Sequence, residues 1–144
     1  MDQRDLILAC LTASEGRAYR PVQIQKLVFL FQEKAPQAFP EGNLFNFEPS
    51  DYGPFDPTVY RVLEELADED KAEIIGSPLD RNRLYRLSEG GVDAGREALN
   101  SLEGSYQNYL KTLSEWVLGQ SFAGLVGAIY QEFPAMKVNS VFQE

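Results

Sequence analysis

The chain has 144 residues, of which 44% are hydrophobic, 24% charged and 12% aromatic, the range of one ordinary soluble domain able to bury a core without disulfide or metal staples. With no His and a single Cys, it cannot build a histidine general base, a Cys-His nucleophile pair, a His metal site or an internal disulfide, so neither an enzyme nor a cofactor is expected. Thirteen Lys/Arg against 22 Asp/Glu give a net charge of -9, which argues against strong unassisted DNA binding, because such affinity comes largely from neutralising phosphates.

The lone thiol of Cys10 fits a reducing compartment, and Met1-Asp2-Gln3-Arg4-Asp5 lacks the basic and apolar regions of a signal peptide, so a cytosolic protein is expected. No apolar run approaches the roughly 18 to 20 residues that span a bilayer, so no membrane association is expected. Neither repeats nor a long linker divide the chain, which predicts a single domain over 1–144 with a core over 1–91 and C-terminal helices and tail over 92–144.

Asp2 caps a first helix through about Ser14, with Leu6, Cys10 and Ala13 on its buried face, and Glu15-Gly16-Arg17 breaks it. Pro21 suits an early helical position. Ile24, Leu27, Val28 and Phe31 then fall at i, i+3, i+4 and i+7, leaving Gln23, Gln25, Lys26, Gln32 and Glu33 for the polar face of a helix closed by Pro36. From Phe39 to Pro57 the chain is rich in Pro and Gly, with Leu44–Glu48 as a short strand.

Asp56 before Pro57 predicts the cap of a third helix, with Val59, Val62, Leu63 and Leu66 on one face, ending near Glu69. Ala72–Gly76 and Arg83–Ser88 read as a β-hairpin, reached through a break in which Asp70 must replace the more usual Gly. Ser88 starts a helix through Leu102, weakened by Gly90, Gly91 and Gly95. Two amphipathic helices follow, the first carrying Tyr109, Leu110, Leu113, Trp116 and Val117. The second is capped by Ser121, ended by Pro134, and striped by Phe122, Leu125, Val126, Ile129, Tyr130 and Phe133. These stripes either close on each other within the chain or form the seam of a homodimer. In the tail, Val138, Val141 and Phe142 are the candidate anchors.

Three helices, a hairpin and a further helix are the order of a winged helix-turn-helix, here with two additional C-terminal helices: an α+β class, mostly α. The helix before the wing normally reads DNA, yet between Pro57 and Glu69 it sets Arg61 against Glu64, Glu65, Asp68 and Glu69. Basic groups cluster instead at Arg81, Arg83 and Arg86, which can contact phosphate, an acidic protein or carboxylates of this chain. Glu64 and Asp68 have the i, i+4 spacing of a carboxylate pair, but nothing nearby completes a metal site, and no glycine pattern makes a phosphate loop.

Ile24-Gln25-Lys26-Leu27-Val28-Phe29-Leu30, followed by Asp51-Tyr52-Gly53-Pro54-Phe55-Asp56, resembles the QKL and YGP segments of Panacea-type and YwgA-like bacterial winged-helix proteins. The segment Leu125–Pro134, with Asn139-Ser140 after it, resembles the C-terminal part of the YwgA-like group, and the matched pieces span 20–91 and 122–141. The resemblance implies a non-catalytic, antitoxin-like or adaptor protein, phage-associated or encoded beside a toxin or defence enzyme that it binds. A dimeric DNA-binding transcription regulator is the alternative. Tyr52, Gly53 and Pro54 form either a structural corner with Tyr52 on the core or a binding site.

Overall fold

Local signals set the helix starts. In the computed structural model, which describes residues 1–77, 79–80 and 82–142, α1 (Gln3–Ala13) begins with a closed capping box: the Asp5 amide donates to Asp2 Oδ1 at 2.8 Å and the Asp2 amide to Asp5 Oδ2 at 3.2 Å. Glu15 and Gly16, both with positive φ, then break the chain away from the helix. Helix α2 (Pro21–Lys34) starts on its proline, and α3 (Pro57–Asp68) is capped by Asp56. After α3 the chain reverses through Asp70 at φ 58°, the left-handed position read from the sequence.

Two short antiparallel hairpins complete the first part of the chain. Strands β1 (Glu48–Ser50) and β2 (Gly53–Phe55) lie between α2 and α3, with Pro49 opposite Pro54. Strands β3 (Ala72–Ile75) and β4 (Leu84–Leu87) follow α3, with Glu73 opposite Arg86 and Ile74 opposite Tyr85. The segment between α1 and α2 joins the second hairpin, since Tyr19 and Tyr85 exchange both backbone hydrogen bonds at 2.8 Å. Helices α4 (Val92–Asn100), α5 (Gly104–Leu118) and α6 (Phe122–Glu132) follow. The result is an α+β fold dominated by helix. Among the described residues, no helix is long and apolar enough to cross a membrane.

Several local expectations shift. Leu44–Phe47 are not a strand; pairing begins at Glu48 and runs into the YGP segment itself. Ser88 caps no α-helix: its hydroxyl donates to the Asp70 carbonyl, a 3-10 turn occupies Glu89–Gly91, and α4 ends at Asn100 rather than Leu102. The glycines that weaken α4 by propensity serve close packing. A Cβ on Gly91 would stand 2.0 Å from the Lys71 carbonyl oxygen, and one on Gly95 2.2 Å from Thr12 Oγ1.

Leu6 to Leu11 of α1 are all buried, at the centre of a core that includes Leu27, Phe31, Leu63, Leu66 and Leu110. Leu125, Val126, Ile129 and Tyr130 of α6 are buried within the single chain. Phe133 meets Phe29 edge-on at 5.0 Å, and Lys34 pairs with Glu132. The α6 stripe therefore packs internally, with Phe122 left half-exposed at its start. In the tail, Val138 and Val141 are exposed, and Phe142 alone of the three expected anchors packs, against Phe122 and Tyr130.

Candidate functional site

Helix α2 departs most from its sequence pattern. Of the polar residues assigned to its solvent face, Gln23, Gln25, Lys26 and Gln32 are buried and Glu33 alone is exposed. The connection between Lys34 and Pro57 lies over that face, and its backbone polar groups, removed from water, require partners. Gln32 supplies three: its Oε1 accepts from the Leu44 and Phe45 amides at 3.1 and 3.0 Å, and its Nε2 donates to the Phe45 carbonyl at 2.9 Å. Gln25 pairs reciprocally with Asp56, receiving its amide at 3.1 Å and donating to its carbonyl at 2.9 Å. The Asp56 carboxylate accepts from Thr58 N at 2.9 Å, capping α3, and from Asn46 N at 2.8 Å. Three polar side chains thus fix where the third helix begins.

Lys26 joins the two motif segments directly, its Nζ donating to the Pro54 carbonyl at 2.8 Å. The side chain is 3% exposed, and burial pulls its pKa down from the usual lysine range to about 7. Gly53 adopts φ 96°, and a Cβ there would come within 3.3 Å of the Tyr130 ring. The turn therefore needs both the left-handed conformation and the missing side chain. Gly53 and Pro54 are buried, whereas Tyr52 is 44% exposed and meets Phe122 edge-on at 5.2 Å. Gly53 and Pro54 thus form a buried corner, but its tyrosine does not pack into the core as expected.

Beside this corner runs an open groove. A cavity of about 350 Å³ is lined by Pro21, Lys26, Asp51, Tyr52, Tyr60 and Phe122, among others. It shares Pro21, Val22, Asp51, Tyr52 and Phe122 with a second cavity of about 580 Å³ that adds Arg20, Gln120 and Ser121. The N-terminal turns of α2 and α6 both open onto the groove. The sequence did not reveal it, because its walls come from segments as far apart as Arg20 and Leu125; the succession of the QKL and YGP segments was the available signal.

Among the described residues, Arg61, Arg83 and Arg86 have separate surroundings. Arg86 pairs with its cross-strand neighbour Glu73 at 2.9 Å. Arg83 lies over the stacked rings of Tyr60 and Tyr85, 5.4 and 5.3 Å from their centroids. Arg61 is exposed on α3, reaching Thr58 Oγ1 at 3.5 Å, and Arg81 lies outside the described residues. Burial raises the Tyr60 hydroxyl to about 12, against the opposing pull of Arg83. The Tyr85 hydroxyl is raised for the same reason, again against the opposing pull of Arg83.

The exposed face of α3 carries Arg61, Glu64, Glu65 and Asp68. Glu64, Glu65 and Asp68 enter no ion pair among the described residues. Beyond the helix end, Glu69 is held at about 2 by a two-pronged contact with Arg4 and by Lys71. Cys10 is fully buried, and burial pushes its thiol up, away from the reactive thiolate. Among the described residues, no group of three or more Cys, Asp or Glu could hold a metal ion.

Comparison with protein-family models and with curated proteins finds no match for this chain.

Proposed function

We propose that the chain is a winged-helix adaptor of the antitoxin-like kind, binding a partner protein through the acidic face of α3. The winged-helix reading is supported by the order α1, α2, α3, β3, β4 and by the Tyr19–Tyr85 backbone pairing, which adds a third short element to the hairpin. In that scaffold α3 takes the place of the DNA-reading helix. The observation that carries the functional reading is its exposed face, one arginine against three carboxylates. Phosphates approaching such a surface meet repulsion, whereas a cationic protein surface meets long-range attraction. Of the hairpin arginines among the described residues, Arg86 is matched by Glu73 and Arg83 covers two tyrosines, so these two add little to a phosphate site.

The resemblance of the QKL and YGP segments to Panacea-type and YwgA-like proteins favours a toxin or defence enzyme encoded nearby as the partner. A non-catalytic role agrees with the absence of His from the sequence and the buried, protonated Cys10. Co-expression with neighbouring genes, followed by purification, should recover a stable complex. The triple change Glu64→Lys, Glu65→Lys and Asp68→Lys, confined to exposed positions, should abolish it without unfolding the chain. Tight operator binding that weakens steeply with salt, with no protein complex recovered, would overturn the proposal.

A further inference from the structure

The groove beside the YGP corner has features that the corner itself does not require. Lys26 is a buried cation with no carboxylate partner among the described residues, and its one hydrogen bond goes to the Pro54 carbonyl. An ammonium has three donors, so the site leaves donor capacity unused where water is scarce. The first turns of α2 and α6, at Val22 and Phe122, open onto the same groove and bring the positive ends of a 14-residue and an 11-residue helix to it. Among the described residues the charged groups lining both cavities are Arg20, Lys26 and Asp51, an excess of one positive charge while Lys26 is protonated, on a chain whose net charge is -9. The remaining wall is largely apolar and aromatic, with Pro21, Phe55, Tyr60 and the half-exposed rings of Tyr52 and Phe122.

We propose that this groove binds a small arylalkyl carboxylate, its carboxylate directed to Lys26 and the first turns of α2 and α6, and its aryl body against the half-exposed rings of Tyr52 and Phe122. One buried monovalent cation matches one carboxylate, while Asp51 on the rim disfavours a doubly charged phosphate. A cavity of about 350 Å³ lies at the lower end of the range of small-ligand sites. The charged and titratable groups around Lys26 are Asp51, Tyr52 and Tyr60 in the lining, Arg20 at the start of α2, Tyr130 beneath Gly53, and Lys137 over the Tyr130 ring. Burial holds Lys26 near 7, so its charge, and with it the attraction for the anion, fades within the accessible pH range.

The test is an NMR titration of the full chain with 3-phenylpropionate and with 3-phenylpropionamide. The acid should shift the amide signals of Val22, Gly53 and Phe122 and bind at least about tenfold more tightly than the amide, since only the acid meets the charge of Lys26. Its affinity should fall about tenfold from about pH 6 to about pH 8, as Lys26 loses its proton. Lys26→Met should erase the difference between acid and amide. Asp51→Asn, at an exposed side chain, should tighten the acid about twofold by removing a like charge, a readout that stands even if Lys26→Met fails to fold. Equal affinity for the two probes, acid binding indifferent to pH, shifts confined to other surfaces, or no binding of either probe would each overturn the proposal. The partner complex tests a different surface, the face of α3, so either proposal can fail without the other.

Discussion

Lys26 makes the stability of this protein depend on pH in an unusual direction. Its amine sits at about 7 in the folded chain, lowered by burial, against about 10.4 in an unfolded one. Below about pH 7 both states carry the proton, and the folded state bears the full cost of the buried charge, on the order of 4 kcal/mol from the difference in proton affinity. Between about 7 and 10.4 the unfolded state binds one proton more than the folded state, so stability rises with pH by at most about 1.4 kcal/mol per unit. Cys10 opposes this trend, because its raised thiol pKa makes stability fall once unfolded thiols ionise above about 8.5. The comparison with Lys26→Met removes that contribution, since both proteins retain Cys10. Urea unfolding between about pH 6 and about pH 9 should show Lys26→Met more stable than the parent at the acid end, less the contribution of the lost bond to Pro54. The gap should close by on the order of 2 kcal/mol towards the alkaline end. Parallel stability profiles for the two proteins would refute the assignment of a buried, charge-penalised amine.

Gln32→Leu should cost about 2–4 kcal/mol, because it orphans the buried amide and carbonyl of Phe45, and hydrogen exchange should accelerate at that amide. Gly91→Ala, whose Cβ would meet the Lys71 carbonyl at 2.0 Å, should destabilise by about 1–3 kcal/mol in thermal unfolding. Gly127→Ala, inside α6 with open space around its Cβ, should instead stabilise by about 0.5–1 kcal/mol. Leu125→Asp places a carboxylate at a position 1% exposed within one chain, so circular dichroism should show an unfolded protein; a folded monomer derived from a dimeric parent would make the α6 stripe an intermolecular seam.

The elements most readable from sequence were those whose cause is local. Asp2, Asp56 and Ser121 cap helices through their own side chains and amides two or three positions on, an interaction that needs no knowledge of the rest of the chain. Asp70 takes the left-handed turn after α3 for a similarly local reason, and the hairpin falls within a residue or so of its expected limits. Glycines in α4 mislead when read by propensity alone, because propensity describes an isolated helix. At Gly91 and Gly95 the missing side chain matters through its neighbours, Lys71 and Thr12.

Composition and periodicity by themselves determined the predominance of helix, the six α-helices seen among the described residues and the caps at Asp2, Asp56 and Ser121, though not the expected one at Ser88, because each follows from interactions within a few turns of chain. Tertiary structure alone decided the fate of the polar residues of α2. Periodicity separates apolar from polar positions, but it cannot distinguish a polar side chain facing water from one that satisfies the backbone of a segment folded over it. Gln25, Lys26 and Gln32 took the second role because the buried connection between α2 and α3 needs hydrogen-bond partners there. The destinations of Arg83 and Arg86, and the meeting of Lys26 with Pro54, were likewise decided by contacts between elements, where the energy of pairing depends on which surfaces the whole chain brings together.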